Sequence, residues 1–246
     1  MMMNNLLTIF RRELMTYFST PLAYVFIVIF LGLSSSVAFF AGAFFARNQA
    51  DLSSFFTFHP WLYLIFAPAI AMRLWAEERK TGTIEILMTL PITTGQAVAG
   101  KFLAAWAFLL LTLALTFPFW ITVSYLGNPD NAVIFGGYLG SWLMAGSFLG
   151  LCSCLSALTK NQVIAFILGA AGCFLFMMSG LTMVLSVFQG WAPSFIVDLI
   201  SSLSFLTHFN GIAKGVIDLR SAIYFASFIV LVLYLNTIII DLKKAS

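Results

Sequence analysis

Six stretches of at least 20 residues carry no charged side chain: 14–46, 52–72, 102–129, 131–159, 161–197 and 221–240. A helix needs about 20 apolar residues to cross the hydrocarbon core of a bilayer, so this pattern confines the chain to helices buried in lipid. Composition agrees. Of 246 residues, 61% are hydrophobic and 9% charged, and the mean hydropathy is +1.02. Soluble domains are roughly half apolar and about a quarter charged, and so few charges cannot cover a water-facing surface. The expected fold is an all-α integral membrane protein, without room for a large soluble domain.

Six spans are expected at about 22–46, 60–75, 97–125, 132–158, 162–188 and 221–240, within one domain over 1–246. Before them, residues 5–19 form an amphipathic helix suited to the headgroup layer. Leu7, Phe10, Leu14, Tyr17 and Phe18 share its apolar face; Thr8, Arg12 and Met15 turn away and Arg11 flanks. The first apolar run is long enough to span, and it reads as a retained segment rather than a cleavable signal. Gly127-Asn128-Pro129-Asp130 is a turn signal. The pairs Gly136/Gly140, Gly146/Gly150 and Ala165/Gly169 have the small-xxx-small spacing that lets helices approach closely, here within the chain.

The segment 189–220 is too polar and broken for a simple span. Ile196, Leu199, Ile200, Leu203 and Leu206 predict an amphipathic helix with that face against the spans and Asp198, Ser201 and Ser202 opposite. Asn210-Gly211 should break it, and a second short helix should follow in which Lys214 and Asp218 pair at i,i+4.

Positive charge sets orientation. With six spans, one side holds Arg11, Arg12, Arg73, Arg79, Lys80, Lys101, Lys160, Lys243 and Lys244, and the other Arg47, Lys214 and Arg220. The count of nine against three puts both termini in the cytoplasm. Acidic residues divide five against four, as expected when cations alone decide.

Signatures of catalysis are missing: the sequence has no G-x-x-x-x-G-K-[ST], H-E-x-x-H or G-x-S-x-G. The net charge of +3 is spread between apolar segments rather than gathered in one patch, so it gives no sign of nucleic acid, and no nucleic-acid partner is expected. Cys152, Cys154 and Cys173 lie in apolar runs and read as small packing residues, not a disulfide framework. His59 and His208 fall near the outer face and read as solvated loop residues rather than a metal site with Asp198 or Asp218. The spans lack the midplane ionisable residue that carries a coupling ion in secondary transporters. Arg73 and Lys101 lie near span ends, where both can snorkel as interface anchors. Energy must come from another chain.

The informative stretch is the connection 77–91. Gly82 can end the helix leaving the membrane. Thr83 can cap a new short helix, with Glu85 near its positive N-terminus. Ile84, Leu87 and Met88 make a one-turn apolar face, and Pro91 stops the element. Thr93-x-x-Gln96 is a capping box opening the third span.

The run from Glu77 to Pro91, E-E-R-K-T-G-T-I-E-I-L-M-T-L-P, followed by Gly100-Lys101, resembles the signature of type-2 ABC transporter permeases. Further pieces are similar to the gliding-motility-associated ABC permease: Ser54-Phe55-Phe56 with Pro60-Trp61, Leu126-Gly127-Asn128-Pro129, residues 159–168, and Gly215 to Arg220 before Ile223-Tyr224-Phe225. The resemblance implies a bacterial inner-membrane permease without a catalytic residue or cofactor of its own, ATP and magnesium residing on a separate ATPase subunit. It implies a second permease, identical or related. It also implies a coupling helix formed or aimed by Glu77, Glu78, Arg79, Gly82, Thr83, Ile84, Glu85 and Leu87, with Lys101 anchoring the third span. The rival reading is a non-transporting scaffold that passes ATP-driven motion to an outer-side partner. A membrane enzyme using His59 and His208 is a distant third.

Overall fold

The computed structural model describes residues 2–42, 44, 47, 49–89, 91–189, 193–215 and 218–244; at a few of these, Leu87 and Met88 among them, the backbone alone is described. All regular structure among the described residues is helical. Helix α1 (Met2–Ser19) lies before α2 (Pro21–Ser36), which Pro21 opens and a wider turn over Val37–Ala41 extends, with Gly42 N bonded to Val37 O at 2.8 Å. Short α3 (Ser53–Thr57) leads into α4 (His59–Ala71), then α5 (Ala76–Thr81) and α6 (Thr83–Thr89). Helices α7 (Thr94–Ala114) and α8 (Phe117–Leu126) follow, then α9 (Asn131–Ser156), α10 (Gln162–Met178) and α11 (Thr182–Gln189). The chain closes with α12 (Ser194–Ser202), α13 (Phe205–Ala213) and α14 (Leu219–Lys244).

Four helical segments are long and apolar enough to cross a membrane: Pro21–Ala41, Thr94–Leu126, Asn131–Ser156 and Leu219–Lys243; α12 and α13, bent by 63°, make a fifth if they count as one. Length alone therefore supports four to five spans. The expected second span is cut at Ala71: α4 has 13 residues, about 20 Å of helix, and carries Pro68 internally. The expected fifth span divides at Ser179–Leu181 into α10 and α11, where Gly180 sits against Ser204 and Thr207 too closely for any side chain. In the third span α7 gives way to α8 at Leu115–Thr116, because Pro118 has no N–H for the helical ladder and crowds the carbonyl four residues back. Side-chain hydroxyls serve carbonyls at this break. Thr116 Oγ1 donates to Leu113 O at 2.6 Å, and Tyr138 Oη donates to Thr116 O at 3.1 Å.

Helix α9 is the axis. It packs against α4, α7, α10, α13 and α14, and its small residues sit where neighbours come closest. A Cβ on Gly140 would meet Ile212 Cγ2 at 2.9 Å, one on Gly146 Trp106 Nε1 at 2.7 Å, and one on Gly150 Val232 Cγ2 at 2.7 Å. Gly169 of α10 faces Cys152. The expected small-residue seams are used inside the chain, and all three cysteines are buried there. The turn at 127–130 is present, with Asp130 Oδ1 accepting from Ala132 N to cap α9.

Two sequence expectations need correction. On the apolar face expected of α1, Leu14, Tyr17 and Phe18 pack against the core, with Tyr17 stacked on Phe108, but Leu7 is 62% exposed, and Ile9, not counted on that face, is buried against Gly100. The packed face thus also takes in Ile9 and Glu13, and a hydropathy reading passes over the carboxylate. In 189–220 the helix break comes at Leu203–Ser204 and not at Asn210-Gly211, because Ser204 Oγ caps α13 by accepting from Thr207 N. Val197 is the buried residue of α12, while Ile196, Leu199 and Leu203 are exposed. The core contacts come from Phe205, Phe209 and Ile212 of α13. Gly215, at φ 85, separates Lys214 from Asp218, so no helix carries the expected pair; Asp218 Oδ1 accepts from Arg220 N at the start of α14.

Replacing Gly146 by Leu drives a side chain into Trp106 and Ile229 and should destabilise the bundle by about 1–3 kcal/mol. Gly32→Ala, where a Cβ meets nothing within 4 Å, should be neutral or stabilising. Thermal unfolding of the purified protein in detergent compares the two.

Candidate functional site: a buried lysine and the connection it holds

The residues singled out in 73–101 converge at the end of α9 away from α13. Lys101, in the second turn of α7, is only 3% exposed. Its Nζ lies 2.6 Å from Glu78 Oε1 and 3.2 Å from Glu13 Oε1, and 5.5 Å from the centre of the Trp75 ring. Arg12 extends the chain of charges, with Nη2 2.7 Å from the same Glu13 oxygen. Lys101 therefore does not snorkel to headgroups as expected: two carboxylates and an indole face replace its water. Burial raises the Glu13 carboxyl pKa, and Lys101 with Arg12 outweighs it, so the group titrates below its ordinary value of 4.5.

The chain leaving α4 is bolted to α9. Trp75, fully buried, donates from Nε1 to Ser153 Oγ at 3.1 Å, and Asn236 of α14 donates to the same oxygen at 2.9 Å. Ser156 Oγ accepts from Ala76 N and donates to Met72 O. The backbone interrupted at 72–75 thus finds its partners on α9. Arg79 Nη1 donates to Ala157 O at 2.6 Å, and Lys243 Nζ to Leu158 O. Two cations meet the negative end of α9, where the last carbonyls lack helical donors.

Within the connection, Glu77 and Glu78 occupy the first turn of α5 and Arg79 and Lys80 its last, complementing the helix dipole. Gly82 sits at φ 74, the left-handed conformation that ends helices and that a Cβ disfavours. Helix α6 begins at Thr83. The Thr83 hydroxyl turns back to Thr81 Oγ1 at 3.0 Å and donates to Glu78 O. Ile84 is half-buried against the core, whereas Lys80, Thr83 and Glu85 are exposed. The side chains of Leu87 and Met88 lie outside the described residues, so the apolar face assigned to them is not described. Arg73 stays at the edge, its Nε 3.7 Å from Glu77 Oε2. The capping box is formed: Thr93 Oγ1 accepts from Gln96 N, and Gln96 accepts from Thr93 N.

The family model described as ABC-2 family transporter protein matches residues 50–240. The chain belongs to this family. No curated protein matches the chain. As an ABC-2 protein with four to five membrane-competent apolar segments, it is a multi-pass permease subunit of an ABC transporter. The match includes Glu78 and Lys101 but not α1, which supplies Glu13.

Sequence reading missed Glu13, Trp75, Ser153, Ser156 and Asn236 as members of this site. An asparagine inside the last span was the available signal, since an intramembrane amide needs a partner. The histidines stand apart from it. His59 is fully buried, contrary to the solvated loop expected, with Nδ1 2.6 Å from Ser141 Oγ; His208 bonds Ser202 O and Ser221 Oγ.

Lys101→Met leaves Glu78 without its cation and Glu13 with Arg12 alone, and should cost roughly 3–5 kcal/mol. The pH dependence has a definite sign. Because the folded Glu13 carboxyl titrates below 4.5, its ion pairs contribute fully above that pH and are lost as pH falls through the folded value. Unfolding temperature measured from pH 7 to pH 3 should drop more steeply for the native chain than for Glu13→Gln.

Proposed function

We propose that this ABC-2 permease converts ATP hydrolysis by a separate ABC ATPase subunit into movement of a substrate across a bacterial inner membrane. The observation that carries the reading is the α5–Gly82–α6 connection, fixed to α7 by Lys101 and to α9 by Ser156 and Ala157, yet exposing Lys80, Thr83 and Glu85. A short helix pair with rigid attachment and a free charged face suits docking on a nucleotide-binding partner. Glu77, Glu78 and Arg79 aim it, Gly82 turns it, and Thr83, Ile84, Glu85 and Leu87 belong to the docking helix. ATP and magnesium are held by the partner, and a second permease, identical or related, completes the transporter.

Six spans are proposed: Pro21–Ala41, α4 with the turn after it, α7–α8, α9, α10–α11 and α14. Backbone that departs from helix is tolerated at membrane depth where protein covers it, and Met72 O and Ala76 N are covered by Ser156. The nine-to-three distribution of cations then supports a cytoplasmic location for both termini and for 77–91. The outer-loop similarities support a relation to the gliding-motility-associated permeases within the family.

The purified chain alone should hydrolyse no ATP and should stimulate a P-loop ATPase partner on reconstitution. Glu85→Arg, at an exposed position, should leave the unfolding temperature unchanged and weaken that stimulation about tenfold, the effect of about 1.4 kcal/mol. Unaltered stimulation, or labelling of Thr83→Cys from outside the cell, would sink the coupling assignment.

A further inference from the structure

Between α1, α2, α4 and α5 the helices leave a cavity of about 540 Å³, within the roughly 300–1,000 Å³ of small-molecule sites. Its lining divides by chemistry. Leu22, Ala23 and Phe26 of α2 and Ile70 of α4 make an apolar wall, and Arg73 and Glu77 stand at the charged end. Helix α2 also exposes Val25, Val28 and Ile29, a surface that belongs in hydrocarbon.

Of the charges lining this cavity, Arg12, Glu13, Lys101 and Glu78 neutralise one another in a continuous chain. Arg73 and Glu77 remain. Their closest approach is 3.7 Å, with side chains 38% and 44% exposed. That is too long for a hydrogen bond, and the buried Arg73 Nε has no hydrogen-bond partner among the described residues. A half-satisfied cation and a half-satisfied anion thus stand one helical turn apart beside an apolar slot.

The complementary ligand carries an anion and a cation a few bonds apart, joined to hydrocarbon. We propose that the cavity is a binding site for an ethanolamine glycerophospholipid. Its phosphate lies on the Arg73 guanidinium, whose planar fork suits phosphate oxygens. Its ammonium lies on the Glu77 carboxylate, and an acyl chain lies along Leu22, Phe26 and Ile70. A glycerol headgroup would satisfy Arg73 and leave Glu77 facing a phosphate, so the site selects amine over glycerol. The bound lipid wedges α1 and α2 against α4 and needs no ATPase.

Native mass spectrometry of the full chain in detergent tests this with three probes. These are phosphatidylethanolamine, phosphatidylglycerol of the same acyl chains, and chain-free glycerophosphoethanolamine. Phosphatidylethanolamine should bind at least about tenfold more tightly than either other probe, a difference of about 1.4 kcal/mol. Arg73→Gln and Ala69→Phe, the latter filling the cavity without touching a charge, should each remove that preference. If Arg73→Gln does not fold, Glu77→Gln asks the same question and should bind both lipids alike. Equal binding of the two lipids by the native chain overturns the proposal, as does binding that survives Ala69→Phe. Glycerophosphoethanolamine binding as tightly as the lipid would mean a soluble phosphoamine site, and it too overturns the proposal.

Discussion

An ammonium group buried to 3% exposure is the most demanding requirement in this molecule. Taking Lys101 out of water costs several kcal/mol unless carboxylates meet it, and the two that do so come from separate elements, Glu78 on α5 and Glu13 on α1. Three helices must therefore arrive together or the charge is stranded. Such a network seldom stabilises more than apolar packing of the same volume; its effect here is positional. Leucine at 101 would let α1 slide and α5 turn along α7. Lysine fixes both, because its two partners have one arrangement in which neither is left alone.

The same logic, with neutral groups, runs along α9. Ser141, Ser147, Ser153 and Ser156 are all buried. Three of them serve neighbours: Ser141 the His59 ring and Tyr63, Ser153 both Trp75 and Asn236, Ser156 the broken backbone at 72–76. In lipid the hydrophobic effect does not press helices together, so small residues that permit contact and hydroxyls that reward it do that work. Helix α9 has both. Its glycines set how close α7, α13 and α14 come, and its serines decide which residue of α4 or α14 sits opposite.

Sequence alone made the class, the small-residue seams, the Thr93–Gln96 box and the Gly82 turn legible, because each depends on a local rule: uncharged length, spacing or a conformation only glycine adopts cheaply. Burial of charge and breaks within apolar runs were not. Lys101 near a span end is locally indistinguishable from a snorkelling lysine; what buries it are Glu13, 88 residues earlier, and Glu78. Glu13 was left off the packed face of α1 for the same reason, since a hydropathy pattern discards a carboxylate that belongs to it. His59 looks like an outer-loop residue until Ser141 is placed beside it. The interruption after Ala71 stays hidden because Met72, Leu74 and Trp75 carry the apolar run on around Arg73, and the carbonyl of Met72 is satisfied by a serine 84 residues away.

The interruption at 72–75 is then a consequence of coupling to α9 rather than a defect in a helix. A continuous helix from 59 to 81 would bury its own polar backbone and need nothing from Ser156 or Ala157, leaving α5 free to swing with α4 alone. Ending α4 at Ala71 instead exposes Met72 O and Ala76 N, which find Ser156, and turns Arg79 onto the α9 carbonyl end. In the proposed function this matters because a push on α6 passes through Gly82 into α5. From there it has three exits: Lys101 into α7, Ser156 and Ala157 into α9, and Glu13 into α1. A lever attached to one helix would only tilt that helix. Attached through the break at 72–75 to three, it can move them as a group.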